Sequence, residues 1–351
     1  MERLHIAVFG PVNSGKSTLV NAICGQEVSL VSEVPGTTTD PVRKAAELPG
    51  LGPCIIIDTA GLGDEGVLGG ERERRTLAVL DETDAAIVIE PSRDLLESLG
   101  KALVPYVIYS RGESIHSLLQ RLAEVAPKEE ERFLTGGLVD NGSVVLLVMP
   151  QDGEAPKGRL ILPQVQVLRE LLDRGCTAIC CTPGGLAGAL GSLAAAPDLV
   201  ITDSQVFGEV ERAIPPSCPL TSFSVLLAAA KGDVDVFLEG ARAIDNLGPG
   251  SRVLIAEACT HVPQNEDIGR VKIPSLLRRK AGPLRVDIAA GNDFPDQLAG
   301  YDLIIHCGAC VASSRLLRSR IRRARQQGVP ITNYGIALAA LKGILSRIAL
   351  P

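Results

Sequence analysis

Short apolar runs alternate with helix-like stretches along almost the whole chain, and this alternation constrains the fold more than any other feature. The runs include Ile6-Ala-Val-Phe9, Cys54-Ile-Ile-Ile57, Ala85-Ala-Ile-Val-Ile89, Ser143-Val-Val-Leu-Leu-Val148, Thr177-Ala-Ile-Cys-Cys181, Asp198-Leu-Val-Ile-Thr202, Arg252-Val-Leu-Ile-Ala256, Leu284-Arg-Val-Asp-Ile288 and Leu303-Ile-Ile305. Runs this short, largely without polar alternation, suit strands buried on both faces, and the amphipathic stretches between them suit the crossover helices of parallel sheets. Helices are expected at 95–99, 118–122, 164–173, 186–196, 234–245, 314–327 and 336–348. The fold class is therefore α/β. At 351 residues the chain holds two or three domains, each large enough for its own core. The polar joint Glu129-Glu-Glu-Arg132 marks the end of a first domain at 1–128. Two parallel-sheet α/β domains are expected after it, at 129–218 and 219–351.

With 46% hydrophobic residues but only 3% aromatic and no Trp, the cores must be built from Val, Ile, Leu and Ala. A net charge of −6 argues against a general nucleic-acid binder, which needs a basic surface for phosphate contacts. The basic run Arg315 to Arg325 has helical spacing and reads as a solvated helix face. No leader precedes the first strand, and no run approaches the ~18 apolar residues that span a bilayer. No membrane association is expected. Nine cysteines, odd in number and irregularly spaced, do not form a secreted disulfide framework, so a reducing cytoplasm is expected. Cys180 and Cys181 read as two small buried hydrophobes of a strand.

Gly10-Pro-Val-Asn-Ser-Gly-Lys-Ser17 follows the first strand, and a helix begins with Thr18. Strand, glycine-rich loop and helix in this order make a phosphate-binding loop. Its backbone amides, from Gly10 through Asn13, Ser14, Gly15, Lys16, Ser17 and Thr18, can close around phosphates at a helix N-terminus. Lys16 reaches the β- and γ-phosphates and the Ser17 hydroxyl sits on Mg²⁺. Asp58-Thr-Ala-Gly61 follows the second apolar strand. Asp58 can hold Mg²⁺ through water, and the Gly61 amide can sense a γ-phosphate. Thr38, in the polar loop Pro35 to Asp40, is the hydroxyl expected to join Mg²⁺ when that loop orders around a nucleotide.

Two short segments in the last third carry soft ligands. They are Glu257-Ala-Cys-Thr-His261 and His306-Cys-Gly-Ala-Cys310, each following an apolar strand. They hold two of the four histidines and three of the nine cysteines. Loops at the carboxyl ends of parallel strands gather on one edge, so Cys259, Cys307 and Cys310 can converge. Three thiolates suit an iron–sulfur cluster or zinc, and unrelated buried cysteines are the third alternative. A cluster on three cysteines leaves one iron with a replaceable ligand. His261 and His306 are available to occupy it or to tune the sulfurs from outside.

The first third resembles the translation-factor-like GTPases, especially the branch typified by the tRNA-modification GTPase. In that branch an Asn in the phosphate loop helps hold K⁺, and Asn13 matches it. Such proteins read guanine with Asn-Lys-x-Asp, which this sequence lacks; the strand Pro105 to Ser110 leads straight into what looks like the final loop and helix. The whole chain resembles the FeFe-hydrogenase maturation GTPases, the F-type maturases. The likeness is carried by the phosphate loop together with Cys259-x-His261 and His306-Cys307-x-x-Cys310. It is also strong through 155–164, 197–206, 243–247, 268–274 and 331–335. The resemblance implies a homodimer of GTPase, dimerisation and cluster domains. It implies GTP, Mg²⁺, K⁺ and a 4Fe-4S cluster on Cys259, Cys307 and Cys310, with His261 and His306 as motif histidines. It further implies a scaffold for a transient di-iron precursor, with radical-SAM maturases and the apo FeFe-hydrogenase as partners. The family often has a second histidine after the first, where this chain has Val262. A regulatory GTPase with a structural zinc site and a scaffold with a vestigial GTPase are the alternative readings.

Overall fold

The computed structural model describes residues 3–25, 41–62, 76, 78–128, 133–151, 158–258, 267–310 and 312–351. The chain divides into two compact units, residues 1–131 and 132–351. Among the described residues no helix is long and apolar enough to cross a membrane.

The first unit runs β1 (Leu4–Phe9), α1 (Lys16–Cys24), β2 (Val42–Leu48), β3 (Gly52–Asp58), β4 (Ala85–Ile89), α2 (Arg93–Ala102), β5 (Tyr106–Tyr109) and α3 (Ile115–Val125). Its sheet has the order β2-β3-β1-β4-β5, with β2 antiparallel to β3 and the other pairs parallel. Successive strand residues point to opposite faces. Ile6 and Val8 meet Leu19, Val20 and Ile23 of α1 and Leu118, Leu119 and Leu122 of α3 on one face. Ala7 and Phe9 meet Leu95 and Leu99 of α2 on the other. Ser92 and Ser114 cap α2 and α3 by accepting the amides of Leu95 and Ser117, contacts worth about 1 kcal/mol each. The strand β2 was not expected, because of its seven residues only Leu48 is buried. The last strand, β5, lies directly beside β4, and α3 then closes the same face as α1.

The second unit holds two four-stranded parallel sheets. The first is built from β6 (Val144–Val148), α4 (Leu162–Asp173), β7 (Thr177–Cys181), α5 (Leu186–Gly191), β8 (Leu199–Thr202), α6 (Phe207–Ala213), β9 (Leu220–Ser222) and α7 (Phe223–Lys231). The second follows α8 (Val234–Ala241) and comprises β10 (Arg252–Glu257), α9 (Ile273–Ala281), β11 (Arg285–Ala290), β12 (Leu303–His306), α10 (Ser314–Gln326), β13 (Ile331–Asn333) and α11 (Tyr334–Leu341). The strand orders are β7-β6-β8-β9 and β11-β10-β12-β13. One hydrophobic core runs through both, from Leu146, Val200 and Phe207 to Leu254, Ile304 and Ile336.

Three expectations change here. The division after residue 218 would cut β9 from its sheet; β9 pairs with β8, so the first sheet closes at Ser222. Cys180 is exposed, not buried, because β7 is the sheet's edge strand. The basic run of α10 is not wholly a solvated face, since Arg320 turns inward and is 1% exposed.

Candidate functional site

The phosphate loop is closed by its own lysine. Lys16 is buried and its Nζ donates to the carbonyls of Gly10 at 3.0 Å and Pro11 at 2.6 Å. Burial lowers its pKa, opposed by the Asp58 charge. The Ser17 Oγ donates to Asp58 Oδ2 at 2.6 Å. Burial pushes the Asp58 carboxyl above its ordinary range, against the Ser17 hydrogen bond and the charges of Lys16 and Lys44. The Ser14 Oγ and the Asp58 Oδ1 are buried without hydrogen-bond partners among the described residues. An unpaired buried oxygen costs about 1–3 kcal/mol, and a bound phosphate and cation would relieve both.

The backbone explains the residue types. Asn13 and Gly15 have φ of 62° and 90°, the left-handed region that glycine tolerates best. No side chain caps α1, so its first amides remain available to an anion. A Cβ at Gly10 would lie 2.7 Å from the Ile89 carbonyl oxygen. A Cβ at Gly61 would lie 2.7 Å from the Val12 backbone, and the Leu62 amide donates to the Gly10 carbonyl at 3.1 Å. The Gly61 segment is therefore seated directly on the phosphate loop. Asn13 and Thr18 are exposed on it. Thr38 lies outside the described residues.

At the sheet edge where a base would be read, two acidic residues after β4 and β5 are paired. Glu113 accepts from Arg121 at 3.1 and 2.9 Å and from Ser117 at 3.2 Å. Glu90 pairs with Arg111 at 2.8 Å.

In the second unit the carboxyl ends of β10 and β12 are adjacent. The strand order reverses direction between them, the position where open α/β sheets bind ligands. The Cys307 amide donates to the Ala256 carbonyl at 2.8 Å, and the Ala258 amide donates to the Cys307 Sγ at 3.1 Å. Neither Cys307 nor Cys310 is in a disulfide, and both are partly exposed. Between them Ala309 takes a left-handed φ of 50°. The loop is held by Lys231, whose Nζ donates to the carbonyls of Ala309 at 3.0 Å, Cys310 at 3.3 Å and Ala312 at 2.8 Å. Cys259 and His261 lie outside the described residues.

His306 is not placed as a ligand. It is fully buried, and Arg320 Nη1 donates to its Nε2 at 2.9 Å. An arginine can only donate, so the proton is on Nδ1, which donates to the Cys307 carbonyl at 2.8 Å. Burial, and then the Arg320 charge, lower the imidazole pKa to about 3. Arg320 also donates to the carbonyls of Glu257 and Gly291 and stacks on Phe294. His306 thus ties the cysteine loop to a buried cation.

Among the described residues the donors here are two cysteine thiols, a ligand type that suits an iron–sulfur cluster or zinc, and no group of three or more His, Cys, Asp or Glu is gathered for a metal. Two thiols share one loop at a switch point, a backbone amide points at one sulfur, and hydrogen bonds of that kind stabilise thiolate ligands. Close by, the Tyr334 hydroxyl is buried without a partner among the described residues. Sequence reasoning missed Lys231 and Arg320, because each acts across a long separation in the chain.

Residues 235–351 match the model of a hydrogen maturase F tetramerization domain and residues 134–232 that of a hydrogen maturase F dimerization domain. Residues 5–125 match a 50S ribosome-binding GTPase model. The chain is similar to the tRNA modification GTPase MnmE of Xanthomonas oryzae pv. oryzae (strain MAFF 311018), 34% identical over 145 residues that cover 40% of this chain and 31% of that protein. The MnmE of Methylobacterium sp. (strain 4-46) is 34% identical over 145 residues, 36% of this chain and 33% of that protein. The chain therefore spans about a third of the length of these curated relatives. Among solved structures, Era in complex with MgGDPNP and a 16S ribosomal RNA segment is 16% identical, with a TM-score of 0.29, covering 61% of this chain and 98% of that one. NFeoB from S. thermophilus bound to GDP.AlF4- and K+ is 18% identical, with a TM-score of 0.24, covering 35% of this chain and 62% of that one.

Proposed function

We propose, on the premise that this chain belongs to the hydrogen maturase F family and joins a GTPase domain to its dimerization and tetramerization domains, that it is a GTP-binding iron–sulfur scaffold. In this reading it assembles the di-iron precursor of FeFe-hydrogenase and delivers it to the apo-enzyme. The observation that carries the reading is the coexistence in one chain of a closed phosphate loop and the Cys307–Cys310 loop at a sheet switch point.

Cys259, Cys307 and Cys310 would hold a 4Fe-4S cluster, with a fourth position left for an exchangeable ligand and His261 as the remaining motif histidine. The cluster, when bound, supplies an iron that can accept a ligand from outside the chain. The protein's part is to fix the two described thiols on one loop, through Lys231 on the loop carbonyls and the Ala258 amide on Cys307. In the GTPase domain, Lys16 would meet the β- and γ-phosphates. Ser17, Asp58 and Thr38 would hold Mg²⁺, and Gly61 would report on the γ-phosphate. Asn13 is exposed on the loop and would help hold K⁺. GTP hydrolysis would time encounters with radical-SAM maturases and the apo-hydrogenase, and self-association would bring two or more such chains together in the cytoplasm. The domain division would follow 1–128 for the GTPase, then a dimerisation and a cluster domain.

The test is anaerobic reconstitution with iron and sulfide, followed by metal analysis and EPR of the reduced protein. A four-iron signal that disappears in Cys307→Ser, with nucleotide binding retained, supports the scaffold. Stoichiometric zinc with no sulfide would replace it with a regulatory GTPase carrying a structural zinc site.

A further inference from the structure

The two sheets of the second unit share strand order and also register. Val144 pairs with Thr177 and Val145 with Leu199 in the first; Arg252 pairs with Arg285 and Val253 with Leu303 in the second. Asp198 and Asp302 accept the amides of Val144 and Arg252, at 2.8 and 2.7 Å, at the same place in each sheet. The likeness reaches the sequence. Pro219-Leu-Thr-Ser-Phe-Ser-Val-Leu-Leu-Ala-Ala-Ala-Lys-Gly232 lies over Pro330-Ile-Thr-Asn-Tyr-Gly-Ile-Ala-Leu-Ala-Ala-Leu-Lys-Gly343. Ser222 caps α7 as Asn333 caps α11. The matched lysines act reciprocally. Lys231 holds the loop after β12, and Lys342 donates to the carbonyls of Ser204 and Gln205 after β8. The two halves are copies of one α/β unit, each clasping the other.

The two halves differ at the cysteine loop and at one aromatic position. Strand register places His306 opposite Thr202 of the other copy, so Cys307 falls where the first copy has Asp203. Tyr334 falls where the first copy has Phe223, which is buried at 2% exposure. The aromatic ring is therefore a demand of packing, and the hydroxyl is the addition.

That hydroxyl has no hydrogen-bond partner among the described residues. Space is kept for it, since a Cβ at Gly269 would collide with the hydroxyl oxygen and would lie 3.2 Å from a Glu257 carboxylate oxygen. His306 pairs with Asn333 in register, so Cys307 and Tyr334 leave the ends of adjacent strands, and burial keeps the phenol protonated and so a donor. A buried donor without a partner among the described residues costs about 1–3 kcal/mol, a cost the first half avoids with phenylalanine.

We infer that the Tyr334 hydroxyl donates a hydrogen bond to the iron–sulfur group held at Cys307, which makes Tyr334 a residue that positions and tunes that group. The inference rests on the cluster reading above. A donor to cluster or thiolate sulfur favours the reduced, more negative state.

The experiment compares full-length wild type, Tyr334→Phe and Phe223→Tyr after anaerobic reconstitution, reading iron and sulfide content, midpoint potential and EPR of the reduced state. Tyr334→Phe installs the other copy's own residue. It should keep wild-type iron and sulfide while shifting the potential to a more negative value and altering the EPR signal, with Phe223→Tyr unchanged. Gly269→Ala, which crowds the hydroxyl, should shift the potential in the same direction and stands in should Tyr334→Phe fold poorly. A wild-type potential and signal in Tyr334→Phe would overturn the inference and leave the cluster reading standing. Equal shifts in Tyr334→Phe and Phe223→Tyr would also overturn it. A wild type that binds no cluster would overturn both.

Discussion

The Nζ of Lys231 donates to the Ala309 carbonyl at 3.0 Å, joining the end of one sheet's last helix to the cysteine loop of the other sheet. Two further carbonyls of that loop, from Cys310 and Ala312, accept from the same ammonium. Hydrogen bonds to a charged group contribute about 1.5–3 kcal/mol where they replace water in a buried site. Lys231→Met should lower the unfolding free energy of the second unit by about 3 kcal/mol on that scale, and iron retained after reconstitution should fall several-fold. Lys342→Met removes the matching clasp on a loop without cysteines. It should destabilise comparably but keep its iron. Equal iron retention in the two variants would mean that Lys231 serves folding alone.

The phosphate loop makes a separate forecast. Lys16→Ala removes the cation that faces the phosphates and opens the contacts to Gly10 and Pro11. GTP affinity should fall at least a hundredfold by fluorescence titration, about 2.7 kcal/mol, with iron content unchanged. Gly61→Ala would drive a Cβ into the Val12 backbone, 2.7 Å away. It should slow hydrolysis more than it weakens GDP binding, because only the γ-phosphate is read from that segment.

The phosphate loop was legible from the sequence because every part of it is local. The glycines, Lys16 and Ser17 sit within one strand–turn–helix, and Asp58 closes a single strand. The parallel sheets were legible from their apolar runs. What escaped was non-local or unpatterned. The strand β2 exposes or half-exposes all but Leu48, so no buried face advertises it, and β9 and β13 are three residues each, merged in sequence with the helices they precede. The spacing of His306 left open whether it ligates iron or tunes the sulfurs, and its Arg320 partner, which donates to Nε2, lies on another element. Nothing in the spacing of Lys231 pointed to its three carbonyl partners.

His306 also fixes a pH response. Its folded pKa is lowered to about 3, from an ordinary value of 6.5, by burial and by the Arg320 charge. A histidine depressed in this way favours the folded state above its unfolded pKa and disfavours it as pH falls from 6.5 toward 3. Metal-free protein should therefore lose stability across that window in urea titrations. His306→Gln, which cannot become a cation against Arg320, should show a shallower loss, even if it is less stable at neutral pH. A wild-type profile that is flat across the window would remove His306 from this role.

The last expectation concerns the base. A reader that hydrogen-bonds guanine rejects analogues by large factors, since a wrong base leaves buried groups unpaired. This sequence has no Asn-Lys-x-Asp segment. The strand β5 stands directly beside β4, and two carboxylates at that edge are paired, Glu113 with Arg121 and, in an exposed ion pair, Glu90 with Arg111. Phosphate contacts are the same for every nucleoside triphosphate. GTP and ATP should accordingly bind within about tenfold of each other, about 1.4 kcal/mol, and both should depend on Lys16. Competition titrations with GTP, ATP and inosine triphosphate decide it. A preference for GTP beyond a hundredfold would mean that a carboxylate is released from its arginine when nucleotide binds, and Glu113→Gln would then abolish the preference while leaving triphosphate affinity in place.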